Sequence, residues 1–285
     1  MAKLTFEQLL DAGCHFGHLK RKWNPNMAPY IFMEQNGIHI IDLYKTMAKL
    51  DEAGAALKQI AKSGKKILFV GTKKQAKEIV ADAARRASMP YVVERWPGGM
   101  LTNFTTIRKA VKKMINIDRM LKDPSFTSIS KRERLQITRE RAKLEKNLGS
   151  IADLTKLPSA LFVVDITKEH IAVAEAQILG IPTFAIVDTN SDPKKVDFPI
   201  PGNDDAGKSI SIIIQEIVDC INEGLTERKM SKEVDEVEEE EVIDERKEIA
   251  IDDEDEVSEK PKRKHSSPGK SGKGGNRKIN IEVKD

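Results

Sequence analysis

Apolar positions along the chain fall into two periods. Between residues 105 and 151 the period is helical. Ile107, Val111, Met114, Ile117 and Leu121 lie three or four apart, and Leu135, Thr138, Ala142, Leu144, Leu148 and Ile151 follow with looser spacing. Asp123-Pro124-Ser125 stops the first run, and Ser130 with Glu133 reads as a capping box that starts the second. The spacing predicts an antiparallel coiled-coil hairpin with a narrow apolar seam and arms of about 18 residues, roughly 27 Å each at 1.5 Å rise. Elsewhere the apolar runs are short and continuous, at residues 66–72, 91–93, 160–165 and 183–188. They alternate with amphipathic segments at 73–88, 169–179 and 209–221. Buried strands alternating with helices predict an α/β fold, a doubly wound and mostly parallel sheet of the flavodoxin or Rossmann kind.

The N-terminal hundred residues add a helix at 6–12 capped by Thr5, strands at 30–33 and 38–42 around Asn36-Gly37, and a helix at 44–61 ended by Ser63-Gly64. Residues 14–25, with Gly17 and Pro25, read as a loop. Phe198-Pro199-Ile200-Pro201 carries two prolines and is expected to stay out of the sheet. The core pattern ends at Gly224. The expected organisation is a globular domain from residues 1–104 and 152–224, an inserted hairpin at 105–151, and a disordered tail at 225–285.

Charge sharpens this division. From residue 105 to 148 there are 13 Lys or Arg against 5 Asp or Glu, a net charge of +8, and the whole of residues 1–223 also carries +8. The hairpin alone therefore accounts for the excess of the folded part. A solvated coiled coil would explain such a surface, but the cluster Arg108, Lys109, Lys112 and Lys113 favours a polyanionic partner, bound largely through counterion release. Residues 227–259 hold 17 acidic and 5 basic residues, and residues 260–278 hold 8 basic and none acidic, the signature of a charged disordered tail. Two cysteines, Cys14 and Cys220, make no disulfide framework and suit a reducing cytoplasm. No apolar run approaches the ~18 residues of a membrane span, and the N-terminus has no export signal.

Candidate chemistry sits in the loops. Lys20, Arg21 and Lys22 beside Trp23 combine phosphate-neutralising cations with a ring for stacking. Lys73 and Lys74 follow the first strand of the sheet, and Arg95 precedes Gly98-Gly99. Cys14, His15 and His18 raise a metal reading, but their spacing matches no full zinc motif, and buried histidines are the plainer account. Asp165 and Asp188 at strand ends suit loop capping as well as chemistry. No dinucleotide fingerprint follows the first strand of the sheet. Gly202-Asn203-Asp204-Asp205-Ala206-Gly207-Lys208-Ser209 matches the phosphate-loop pattern in full. The prolines before it and the two aspartates inside it argue against nucleotide hydrolysis. A nucleotide-binding protein using residues 202–209, with Lys208 and Ser209, is the alternative function.

Several stretches resemble the second protein of the bacterial small ribosomal subunit: Ala12-Gly13-Cys14-His15-Phe16-Gly17-His18, Trp23-Asn24-Pro25, His39-Ile40-Ile41-Asp42-Leu43, Arg95-Trp96-Pro97-Gly98-Gly99-Met100-Leu101-Thr102-Asn103, Asp188-Thr189-Asn190-Ser191-Asp192-Pro193 and Ile200-Pro201-Gly202-Asn203-Asp204-Asp205-Ala206. The order is kept from about residue 3 to 224. The resemblance implies a structural, non-catalytic protein of the cytoplasmic ribosome. It implies binding to small-subunit (16S-type) rRNA between head and body, and contact with neighbouring ribosomal proteins, including the large OB-fold protein that captures messenger RNA. It also permits a zinc or magnesium ion near His18 with Asp188, Asp204 or Asp205. Pro97 stands where the family more often has Leu, and the charged tail lies beyond the family's common end. The expected rRNA-binding residues are Lys20, Arg21, Lys22, Trp23, Lys73, Lys74, Arg95, Arg108, Lys109, Lys112 and Lys113.

Overall fold

The computed structural model of the chain describes residues 4–123 and 130–256. It divides into Met1–Glu233 and Val234–Asp285. The first unit begins with helix α1 (Phe6–Asp11), whose N-cap Thr5 and Gln8 form a reciprocal capping box. Strand β1 (Phe16–Leu19) follows, then β2 (Ile31–Gln35) and β3 (Ile38–Ile41), in a small antiparallel sheet of order β1-β3-β2. Asn36 and Gly37 both have positive φ, 53° and 75°, which is what a tight two-residue hairpin requires. Strand β1 departs from the loop expected at residues 14–25. Its partner is distant in sequence, with Phe16 opposite Ile40, so local Gly and Pro content carried no sign of the pairing.

Helix α2 (Leu43–Lys62) leads into the main sheet. There β4 (Ile67–Val70), helix α3 (Lys77–Arg86) and β5 (Tyr91–Val92) precede the inserted helices α4 (Phe104–Lys122) and α5 (Lys131–Leu148). The fold then resumes with β6 (Ala160–Val164), α6 (His170–Ile178), β7 (Thr183–Val187), β8 (Phe198–Pro201) and α7 (Gly207–Glu256). The five strands are parallel in the order β5-β4-β6-β7-β8. Counting main-sheet strands only, this is the 2-1-3-4-5 order of flavodoxin-like folds, with its switch point between β4 and β6.

Alternate strand residues feed two cores. Ile67, Phe69, Phe162, Phe184 and Ile186 pack with Leu50 and Leu57 of α2 and Ile213 and Ile217 of α7. Leu68, Val70, Leu161, Val163 and Val187 pack with Ala172, Val173 and Ala176 of α6. Val111 and Leu148 belong to this second core, so the base of the inserted hairpin is part of the globular domain.

Two further expectations change. The segment with two prolines is strand β8, paired with β7 from Phe184–Phe198 to Val187–Pro201. It lies at the sheet edge, where a missing N–H is tolerated. The last helix also continues past Gly224 to Glu256, through a Glu-rich stretch of high helix propensity. The rest of the expected tail, 257–285, lies outside the described residues.

Candidate nucleic-acid interface

The N-terminal loop is fastened over the carboxyl end of β7. His18 N donates to Thr189 Oγ1 at 2.8 Å, Asn24 N to Thr189 O at 2.8 Å, and Asn26 Nδ2 to Asp192 Oδ1 at 3.0 Å. The approach is tight: a Cβ on Gly17 would stand 2.6 Å from Thr189 Cγ2 and 3.0 Å from His39 O, so only glycine fits. Past this anchor, Lys20, Arg21 and Lys22 form a short 3-10 turn with exposed side chains. Lys20 pairs with Glu34 at 2.7 Å, while Arg21 and Lys22 have no ion-pair partner among the described residues. Trp23 rests one side of its indole near His39, ring centroids 5.1 Å apart, and remains 37% exposed. An indole held this way offers a platform for a nucleobase.

Beneath the loop lies a compact charge cluster. Lys73 Nζ is 2.6 Å from Asp205, 2.8 Å from Asp204 and 3.4 Å from Asp165. His18 places Nδ1 2.9 Å from Asp188 and Nε2 3.3 Å from Asp205. The hydrogen bond that His18 donates to the Asp188 carboxylate holds the imidazole pKa above its usual value despite partial burial. Burial, followed by the negative charges of Asp188 and Asp165, pushes the Asp204 carboxyl up to about 7. Burial would pull the Lys73 ammonium down, but its hydrogen bonds to Asp204 and Asp205 outweigh that and raise it. Across the switch point, Glu169 accepts from Thr72 N at 2.9 Å and from the Thr72 hydroxyl, and Lys168 Nζ reaches Thr72 O at 3.0 Å. The crevice where a doubly wound sheet binds ligands is thus closed by the protein's own ion pairs.

The phosphate-loop match dissolves for a related reason. A strand does precede residues 202–209 and a helix does follow. However, Asp205 N and Ala206 N both donate to Asn203 Oδ1, at 2.9 and 3.1 Å, and buried Ser209 donates to Asn203 O at 2.8 Å. Two of the amides that would cradle a phosphate, and the hydroxyl, are thus occupied by the loop itself. Lys208 points outward, exposed.

The donor set does fit a divalent cation. His18, Asp188 and Asp204 each offer one ligand atom, all within 4.8 Å of one another, and Asp204 Oδ2 is buried with no hydrogen-bond partner among the described residues. The mixture of imidazole and carboxylate suits zinc. Zinc at 100 times its Kd is expected to stabilise the chain by about 2.7 kcal/mol and raise its Tm. The His18→Ala variant should show no such rise. Equal responses in differential scanning fluorimetry would remove these three residues as a ligand set.

The hairpin has a different electrostatic logic. Its seam is made by Ile107, Val111, Met114 and Ile117 facing Leu144 and Leu148. Two ion pairs join the helices, Asp118 with Arg141 at 2.7 Å and Glu140 with Lys113, and Glu145 pairs with Arg141 within α5. Arg108 donates to Ala152 O at 3.3 Å and Leu154 O at 2.9 Å, closing the turn after α5. Of the expected contact residues, Lys73, Arg108 and Lys113 therefore engage internal partners. Lys74, Arg95, Lys109 and Lys112 are exposed without an acidic partner among the described residues.

Glu175 of α6 escapes a reading by motif. It is 6% exposed, and it accepts from Trp96 Nε1 (3.2 Å), Gly99 N (2.7 Å), Leu101 N (2.9 Å), Thr102 N (3.1 Å) and Thr102 Oγ1 (3.2 Å). One buried carboxylate thus fixes the loop that launches α4. Its only trace in the sequence is a lone acid among Ala172, Val173 and Ala176.

A sequence profile of the family described as Ribosomal protein S2 matches residues 9–224. The small ribosomal subunit protein uS2 of Phocaeicola vulgatus is 70% identical over 232 residues, covering 81% of this chain and 83% of that protein. The uS2 of Bacteroides thetaiotaomicron is 68% identical over 232 residues, 81% and 84% of the two chains. That of Christiangramia forsetii is 69% identical over 227 residues, 80% and 76%.

Proposed function

The chain belongs to the ribosomal protein S2 family, and from that membership we propose that it grips small-subunit rRNA between head and body through its N-terminal loop and inserted hairpin. The coarser role is a property of the family: a structural, non-enzymatic component of the small ribosomal subunit, acting in translation. No described helix is long and apolar enough to cross a membrane. The observation that carries the finer reading is the set of exposed cations left without acidic partners among the described residues. Arg21 and Lys22 flank Trp23 in the loop, Lys74 and Arg95 follow strand ends, and Lys109 and Lys112 lie on α4. In this reading the cations neutralise phosphates and Trp23 stacks on a base. Lys20 contributes while sharing its charge with Glu34. Lys73, Arg108 and Lys113 act indirectly by holding the scaffold. The large OB-fold protein that captures messenger RNA docks on the same chain, as the family resemblance suggests.

Association with small-subunit rRNA should weaken steeply with salt. Arg21→Gln combined with Lys22→Gln should lower the slope of log K against log salt by about two, one per phosphate contact. A wild-type slope near zero would sink the rRNA reading. In a sucrose gradient of lysate the chain should travel with the small subunit and be released by ribonuclease. Remaining at the top of the gradient in both samples would be the contrary result.

A further inference from the structure

The hairpin carries two separate rows of uncompensated cations, one on each helix. On α4, Lys109, Lys112 and Arg119 recur at helical spacing with Asn116 between them, and all are exposed. On α5, Arg132, Arg139 and Lys143 recur with Gln136 between them, and all are exposed. None of the six has an ion-pair partner among the described residues: Asp118 and Glu140 are engaged across the helices by Arg141 and Lys113, and Glu145 pairs with Arg141 along α5. At 100° per residue each row lies on the back of its helix, roughly opposite the seam residues Val111 and Met114 on α4 and Leu144 and Leu148 on α5. In an antiparallel pair, two backs turned away from one seam face opposite sides of the hairpin. The rows run about 15 Å on α4 and about 16 Å on α5 at 1.5 Å per residue.

A solvated coiled coil interleaves its outer charges by sign. Here Asp118, Glu140 and Glu145 are taken up by pairs within the hairpin, exposed Glu133 stands beside the α5 row rather than in it, and each row itself carries one sign, an arrangement complementary to a phosphate backbone and repulsive to basic protein surfaces. We propose that the hairpin is a two-sided clamp: the outer face of α4 and the outer face of α5 each bind the phosphate backbone of a different double-helical RNA segment, so that the inserted hairpin bridges two segments. This rests on the rRNA-binding reading and extends it to α5. The contacts are to phosphates, so the clamp recognises duplex backbone rather than base sequence.

The test uses the full chain with two short RNA duplexes, one labelled with a fluorescence donor and one with an acceptor. The wild type should bind both and give energy transfer. Arg132→Gln/Arg139→Gln/Lys143→Gln should still bind one duplex, lose the transfer, and show a salt slope lower by about three. Lys109→Gln/Lys112→Gln/Arg119→Gln should behave alike. All six positions are exposed, so unchanged thermal unfolding in each triple variant checks that the fold is intact. Unaltered transfer and slope in the α5 variant would overturn the clamp while leaving the rRNA-binding reading standing. No RNA binding by the wild type would overturn both. An α5 variant with normal RNA bridging but poor incorporation into small subunits would assign that face to an acidic protein instead, which also overturns it.

Discussion

Replacing Glu175 by glutamine is expected to lower the Tm by roughly 6–12 °C and to loosen the base of the hairpin first. The carboxylate accepts five hydrogen bonds with its two oxygens, two at Oε1 and three at Oε2. Glutamine keeps one acceptor and turns an amide NH2 toward donors on the other side. Whichever way it flips, at least two buried donors lose their partner, at about 1–3 kcal/mol each. A total near 3 kcal/mol corresponds to that Tm shift at about 2–4 °C per kcal/mol for a domain of this size. The pH dependence has a definite sign. Burial would raise the Glu175 carboxyl, but the amides of Thr102 and Leu101, the indole and the amide of Gly99 outweigh it and hold the group below its ordinary value. Its contribution is therefore fully present above the unfolded carboxylate range, about pH 4.3, and is lost as pH falls through the folded value. The deficit of the variant should be constant from neutral pH to about 5 and shrink below that. Hydrogen exchange at the Leu101 and Thr102 amides should rise before that of the sheet. A Tm within 2 °C of wild type would refute the assignment.

How much of this was legible beforehand depended on whether the determinant was local. The two hairpin helices, the Ser130 cap, the Asn36-Gly37 turn and the buried strands appear where local patterns put them, but Leu135, Thr138 and Ala142, expected in the apolar seam of α5, are exposed, because the loose spacing there does not say which face meets α4. Strands β1 and β8 did not follow, because each is defined by a partner far along the chain or by its place at an edge. The same limit applies to the cations. A lysine that neutralises phosphate and a lysine that neutralises a buried carboxylate have the same neighbours in sequence: Lys73 and Lys74 are adjacent, yet one is ringed by aspartates and the other is exposed. The aspartates come from residues 165, 204 and 205, more than ninety positions away, and only the closure of the sheet brings them together. The phosphate-loop string was set aside on its prolines and aspartates, although the two-proline segment is in fact a strand. The string's spacing was complete, but its Asp205 and Ala206 amides bind Asn203 rather than a ligand.

That contrast between neighbouring lysines makes Lys73→Met the second large effect. Its ammonium is the near counter-charge for Asp204, which is fully buried, and it also serves Asp165 and Asp205. Methionine keeps most of the stem's packing but leaves the buried carboxyls of Asp204 and Asp165 without their counter-charge, while Asp205 stays open to solvent. Breaking a buried ion pair from one side costs about 3–5 kcal/mol, so the Tm should fall by about 10 °C or more. Adding Asp204→Asn to Lys73→Met removes the stranded charge and should recover part of the loss. The coupling between the two positions should be on the order of 0.5–3 kcal/mol in a double-mutant cycle. Lys74→Gln supplies the opposite signature, with an unchanged Tm and a salt slope for rRNA binding lower by about one. If Lys73 were itself a phosphate contact, its removal would reduce the salt slope and spare the Tm, and the two lysines would behave alike. Opposite responses from adjacent residues would show that the cluster under the N-terminal loop is an internal electrostatic keystone. In that case the RNA-facing charge begins one residue later, and the loop's Arg21, Lys22 and Trp23 owe their position to a neutralised foundation beneath them.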